Sequence, residues 1–96
     1  MPEYRLTPAA VVDLEGIWRY TEQRWGVEQA NAYTDALTRA FGDLAARPSK
    51  ARACNEIREA YRLITIEHHT VYLTVQIYGI AIVRILHKAM DAPRHL

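Results

Sequence analysis

Residues 61–86, "YRLITIEHHTVYLTVQIYGIAIVRIL", decide the fold, because the hydrophobic period there changes from the spacing of a helix to that of a sheet. "YRLITI" (61–66) and "VYLTVQI" (71–77) are rich in branched and aromatic residues. The second alternates, with Val71, Leu73, Val75 and Ile77 on one face and Tyr72, Thr74 and Gln76 on the other. "EHH" and Tyr78-Gly79 supply separators short enough for β-hairpins. "IAIVRIL" (80–86) is apolar on both faces except at Arg84, the mark of a central or covered strand.

Upstream, the spacing is helical. Val11, Leu14, Ile17, Trp18, Thr21 and Trp25 recur every three or four residues, with Thr7 as N-cap, Pro8 at the first helical position and Gly26 as C-cap. On this reading Trp18 and Trp25 pack in the core, and Tyr20 falls off the stripe. Ala30, Tyr33, Leu37, Ala40, Phe41 and Leu44 form a second stripe that Arg47-Pro48 ends. Two helices so closely linked fold back as a hairpin. "EYRL" (3–6) reads as a short strand and "PSKARACNE" (48–56) as a loop. The expected fold is α+β, β-α-α-β-β-β, an antiparallel sheet packed against a helical hairpin in one domain spanning residues 1–96.

The chain has 96 residues, half of them hydrophobic, which suits a single core. Its apolar runs are far shorter than the roughly 20 residues of a membrane span, and "MPEYRLTP" does not resemble a secretory signal. With one cysteine, Cys54, a cytoplasmic protein with an inert thiol is expected. The net charge of +1 divides unevenly: residues 1–47 hold seven acids and five bases, whereas residues 48–96 hold four acids and seven bases. The C-terminal half is therefore the side expected to meet an anionic partner.

Gly16, Gly26, Gly42 and Gly79 are isolated, so neither a phosphate loop nor a dinucleotide fingerprint is present. Adjacent His68 and His69 would face opposite ways in a strand, and a single cysteine cannot build a thiolate cluster, so no metal site is expected. The basic set Arg58, Arg62, Arg84, His87 and Lys88 holds the chemical interest. An arginine inside an apolar strand must find a carboxylate or face a groove. For Arg84, either an ion pair with Glu56, Glu59 or Glu67, or a basic concavity for a partner's carboxylate or phosphate, meets that need.

The ordered set "YRLTPAAVVDLEGIWRYTEQRWGVEQANAY", "EIREAYRLITIEHHTVYLTV" and "GIAIVRILHKAMDAPRHL" resembles the ParE toxins of the RelE/ParE superfamily. Tyr61-Arg62 and His69 fall at family positions, and Arg84, Leu86, His87, Met90 and Asp91 match the family's usual ending. The resemblance implies a toxin that needs no cofactor. It would trap DNA gyrase on cleaved DNA without chemistry of its own, and a ParD-like antitoxin would neutralise it in a toxin–antitoxin hetero-oligomer. Neither membrane attachment nor sequence-specific nucleic-acid binding is implied. Arg58, Tyr61, Arg62, Arg84, His87, Lys88, Met90 and Arg94 are the expected antitoxin- or target-binding residues, and the tail from Met90 to Leu96 the expected target-gripping surface. Trp18, Trp25 and Tyr33 are expected in the core or in groove walls. RelE relatives cut mRNA with the same fold. That alternative would use Glu56, Arg62 and His87, although Lys88 stands where some of those nucleases carry tyrosine.

Overall fold

The computed structural model describes residues 1–90 and 92–96; Asp91, part of the family-like ending, lies outside them. The elements are β1 (Glu3–Leu6), α1 (Pro8–Trp25), α2 (Val27–Ala46), a 3-10 turn (Pro48–Lys50), β2 (Arg52–Ala53), β3 (Tyr61–Ile66), β4 (His69–Gln76), β5 (Gly79–His87) and α3 (Ala92–His95). One sheet contains all five strands in the order β1-β5-β4-β3-β2.

Three features differ from the sequence reading. The sheet is mixed, because β1 pairs with β5 in parallel while the other pairings are antiparallel. The "PSKARACNE" segment is not all loop: β2 forms within it and adds one reversal of the chain before the β3–β4–β5 meander, and that extra reversal lets β5 run in the direction of β1. The second hairpin turn is Ile77–Tyr78, and Gly79 already belongs to β5. Val75 and Ile77, at the tip of this hairpin, are exposed.

Gly79 has φ 142°, and a Cβ there would collide with the Glu3 main chain, so glycine is what allows β1 to lie against β5. Gly26 (φ 94°) makes the junction between the helices and returns its N–H to the Glu22 carbonyl at 2.8 Å. At the other end of α1, Thr7 Oγ1 accepts from the Ala10 N–H at 3.1 Å, the expected N-cap. The same hydroxyl donates to the Val83 carbonyl at 2.8 Å. It thereby pins the helix start to β5 at the residue that the β4–β5 register skips, since Tyr72 faces Arg84 and Leu73 faces Ile82.

The main core lies between the helices and the sheet: Ile17, Leu37, Phe41 and Leu44 pack against Val71, Leu73, Ile80, Ile82 and Ile85. A second, smaller cluster contains Cys54, Tyr72, Leu86 and Ala92, with Ile57, Tyr61, Leu63 and Leu96 against it. Tyr72 and Leu86 alternate with Val71 and Ile85 along their strands, so this cluster occupies the opposite face of the sheet. Cys54 is buried, and burial pushes its thiol up.

Trp25 is 70% exposed, against the expectation of a core position. Helical geometry gives the reason: the buried line of α1 runs through Ala10, Ile17 and Thr21, whereas Val11, Trp18 and Trp25 lie roughly 60–100° further round, on its flank. Trp18 is still half-buried and donates its indole N–H to Asn31 Oδ1 at 2.9 Å, but Trp25 on the last turn has no such neighbour to cover it.

Candidate functional site, a groove between the first helix and the end of the sheet

β1 covers β5 only as far as Ile82. Beyond that point the edge of β5 must find other partners for its main chain, and α1 provides them. Thr7 N–H donates to the Ile82 carbonyl at 3.0 Å, and Asp13 Oδ2 accepts from the Ile85 N–H at 2.9 Å. Asp13 also takes a two-pronged bond from Arg84, Nε to Oδ2 at 2.7 Å and Nη2 to Oδ1 at 2.9 Å. The two side chains are only 24% and 13% exposed, and the bond to Asp13 raises the Arg84 pKa. Arg84 is therefore a structural ion pair, with Asp13 as its partner and not Glu56, Glu59 or Glu67. Those glutamates lie beyond the other end of β3 or in the β3–β4 turn, while α1 passes directly over the uncovered edge. Arg84 Nη1 additionally donates to the His95 carbonyl at 2.7 Å, which ties the C-terminal segment to the same clamp.

At the far end of β5, His87 stands opposite His69 of β4, with ring centroids 5.7 Å apart. Tyr33 of α2 closes the group: its hydroxyl lies 2.7 Å from His69 Nδ1 and accepts from the His68 N–H at 3.2 Å. Burial, aided by His87 and His68, lowers the His69 pKa to about 4. His69 is thus neutral near pH 7, and its Nδ1 shares a hydrogen bond with the Tyr33 hydroxyl.

Between α1 and this end of the sheet runs a groove. One part, about 490 Å³, is lined by Val12, Asp13, Gly16, Ile17, Tyr20, Ile85, Leu86, Met90 and the Arg84, His69 and His87 side chains. The other, about 690 Å³, continues past Tyr20, His69 and His87 to Arg24, Trp25, Gln29, Tyr33, Glu67 and His68. Val12 is 66% and Tyr20 59% exposed, so with Trp25 they give one wall a run of uncovered apolar surface. Arg24 reaches over the Tyr20 ring at 5.3 Å. Among the described residues no group of three or more His, Cys, Asp or Glu side chains could hold a metal ion, and no helix is long and apolar enough to cross a membrane.

The residues singled out in the sequence divide among three places. Arg84, His87 and Met90 meet in the groove. Lys88 follows at its rim, its N–H on the His68 carbonyl at 3.1 Å. Arg58 and Tyr61 lie on the opposite face of the sheet, where Arg58 donates to the Leu96 main-chain oxygen at 2.6 Å and Tyr61 packs on the second cluster; Arg94 is carried by α3. Arg62 donates to the Ala51 carbonyl at 2.6 Å, under the connection after α2. The nuclease set is not assembled: Arg62 faces Leu73 and His87 faces His69, four residues or about 13 Å apart along β4. Glu56 is on the surface, paired with Arg52 at 3.1 Å.

The polar roles of Asp13 and Tyr33 are not read from the sequence. Asp13 did leave a signal, since it interrupts the line Ala10–Leu14–Ile17, and a carboxylate on a core-facing helix stripe requires a cation or N–H donors. Tyr33 left none, because a tyrosine on an apolar stripe reads as packing.

Comparison with known proteins agrees with this architecture. Residues 4–92 match the family model of the ParE toxin of type II toxin–antitoxin system, parDE. A protein named Toxin ParE1 from Mycobacterium tuberculosis is 46% identical over 94 residues, covering 97% of this chain and 96% of the relative. Toxin ParE1 of Caulobacter vibrioides is 38% identical over 96 residues, covering 100% and 99%. Toxin ParE of Escherichia coli is 37% identical over 92 residues, covering 95% and 89%. A chain of the chromosomal ParDE TA system from P. aeruginosa superposes with a TM-score of 0.77 at 20% identity, over 91% of this chain and 96% of that one, a likeness of fold. The two-helix layer on a five-stranded sheet and a match that runs through strands and helices alike lead to one assignment: the chain belongs to the ParE toxin family of type II toxin–antitoxin systems.

Proposed function

We propose that this toxin inhibits DNA gyrase, holding it on cleaved DNA, and that a ParD-like antitoxin neutralises it by folding a segment into the groove beside α1. Both events belong in the cytoplasm. The reading is non-enzymatic, and the observation that carries it is the placement of Glu56, Arg62 and His87 on separate parts of the surface. Hydrolysis or transfer at an RNA phosphate needs base, cation and acid within hydrogen-bond reach of one group. The best-placed cation, Arg84, already spends its guanidinium on Asp13 and His95. An inhibitor needs only a shaped surface, and the exposed Val12, Tyr20 and Trp25 supply the aromatic and aliphatic anchors on which binding energy concentrates. A disordered antitoxin segment could cover them as it folds, offsetting its ordering cost by apolar burial.

The opposed His69 and His87 favour a second reading, an mRNA endonuclease with one ring as base and the other as acid. Brief induction in cells separates the two. A gyrase poison produces chromosome breaks and SOS induction while a reporter mRNA stays whole. Rapid cleavage of the reporter with undamaged DNA would establish the nuclease and discard the gyrase reading.

A further inference from the structure

Gly16 sits in the middle of the 18-residue helix α1, exposed, and a Cβ built on it would meet nothing within 4 Å. Its backbone is ordinary helix, so neither a left-handed conformation nor a close neighbour within the chain calls for glycine. Glycine nevertheless weakens a helix relative to alanine, through the extra backbone freedom lost on folding. The position is also specific: Gly16 lines the more apolar part of the groove, with Val12 four residues before it and Tyr20 four residues after. On a helix these three form one row, two exposed apolar ridges with a notch between them.

We infer that Gly16 is a close-approach point, the notch at which a helical segment of the antitoxin crosses α1 and sends a side chain towards Ile85. The inference rests on the antitoxin reading above and adds the residue that sets the fit. Ridge-into-groove packing brings two helices nearest where one of them presents its smallest residue. The groove lining runs along α1 from Val12 to Trp25, about 20 Å at 1.5 Å per residue, which suits a helix of three to four turns. Membership of a toxin–antitoxin family supplies the occupant, a second protein made to cover this toxin. Anything larger than glycine at position 16 would then hold the two helices apart and uncover the Val12 and Tyr20 contacts on either side.

The test uses the full chain and its full-length cognate ParD-like antitoxin, with affinity measured by calorimetry and the melting temperature of the free toxin recorded for each variant. Gly16→Ala should melt at the wild-type temperature or about 4 °C above it, because alanine suits a helix better and the space is open. Affinity should nonetheless fall about tenfold for Gly16→Ala and about a hundredfold for Gly16→Leu, the usual range for overpacking a close contact. Glu15→Leu, next to it on the exposed side of α1 and outside the groove lining, should bind as the wild type does. Wild-type affinity in a folded Gly16→Leu overturns the notch while leaving the antitoxin reading intact. So does equal loss in the Glu15 variant. Failure of the wild-type toxin to bind the antitoxin at all overturns the antitoxin reading itself, and the notch with it.

Discussion

The two faces of this sheet are closed in different ways. On one, α1 and α2 lay Ile17, Leu37, Phe41 and Leu44 over Val71, Leu73, Ile80, Ile82 and Ile85, a continuous apolar layer. On the other, the cover is a loop and a tail: Cys54, Ile57, Ala92 and Leu96 around Tyr72 and Leu86, held in place by Arg58 on the Leu96 oxygen and Arg84 on the His95 carbonyl. The first face depends on area removed from water, and the second on a few directional bonds to main-chain oxygens. The helix face should open only with global unfolding, whereas the tail face can open locally at lower free energy. Arg84 belongs to both, since its guanidinium bridges Asp13 on α1 and His95 on α3.

Substitutions can break that contrast, beginning with the helix face. Phe41 is fully buried and stacks edge-on against Tyr4 at 5.5 Å. Phe41→Ala should cost about 4 kcal/mol, read as a lower urea midpoint at unchanged slope. A smaller effect than for the clamp would reverse the ranking of the two faces. Asp13→Ala comes next, at about 3 kcal/mol, because it strands both the Arg84 guanidinium and the Ile85 N–H. Unlike Phe41→Ala it should also speed amide exchange at residues 92–96, because Arg84 is no longer held in place to reach His95.

His69, neutral in the folded chain near pH 7, makes stability depend on pH. Its folded pKa, about 4, lies below the ordinary 6.5, so above pH 6.5 both folded and unfolded chains leave it neutral and it adds no pH dependence. As pH falls from 6.5 towards 4 the unfolded chain takes up the proton and the folded chain resists, so stability is lost over that window, by about 2 kcal/mol once the full linkage of about 3 kcal/mol is discounted for the solvent that reaches a half-buried ring. His69→Asn should remove that part of the acid sensitivity in urea titrations at pH 7 and pH 4.5. The smallest effect belongs to Arg58→Ala, about 1 kcal/mol or less, since that bond is at the surface. Its mark should be earlier proteolytic clipping near Leu96 with an almost unchanged melting temperature. A global loss as large as that of Asp13→Ala would mean the tail face carries more stability than its size implies.

Legibility in the sequence followed locality. The helices, their Thr7 and Gly26 boundaries and the β3–β4–β5 meander rest on period and caps within a few residues of one another, and they could be read directly. Two-residue β2 is too short to show a period, and the parallel partner of β1 lies more than 70 residues away, so neither left a local trace. The same distance hid the pairing of Asp13 with Arg84, although the need of each for a partner was visible in its apolar surroundings. The groove gathers Tyr20, Tyr33, His69 and His87 from four elements, and only the folded chain brings them together. Arg58 and Arg84, both expected at a binding surface and Arg84 also as an ion pair, each bond the chain's own tail, at the Leu96 oxygen and the His95 carbonyl.

The most direct measurement is a supercoiling reaction with purified gyrase, relaxed plasmid and this chain, followed by denaturation and gel analysis of the DNA, alongside a translating extract carrying a labelled mRNA. The expected result is plasmid trapped with covalently attached gyrase, loss of that product when the antitoxin is added first, and intact mRNA throughout. Normal supercoiling with no cleaved plasmid, together with a cut message, would contradict it.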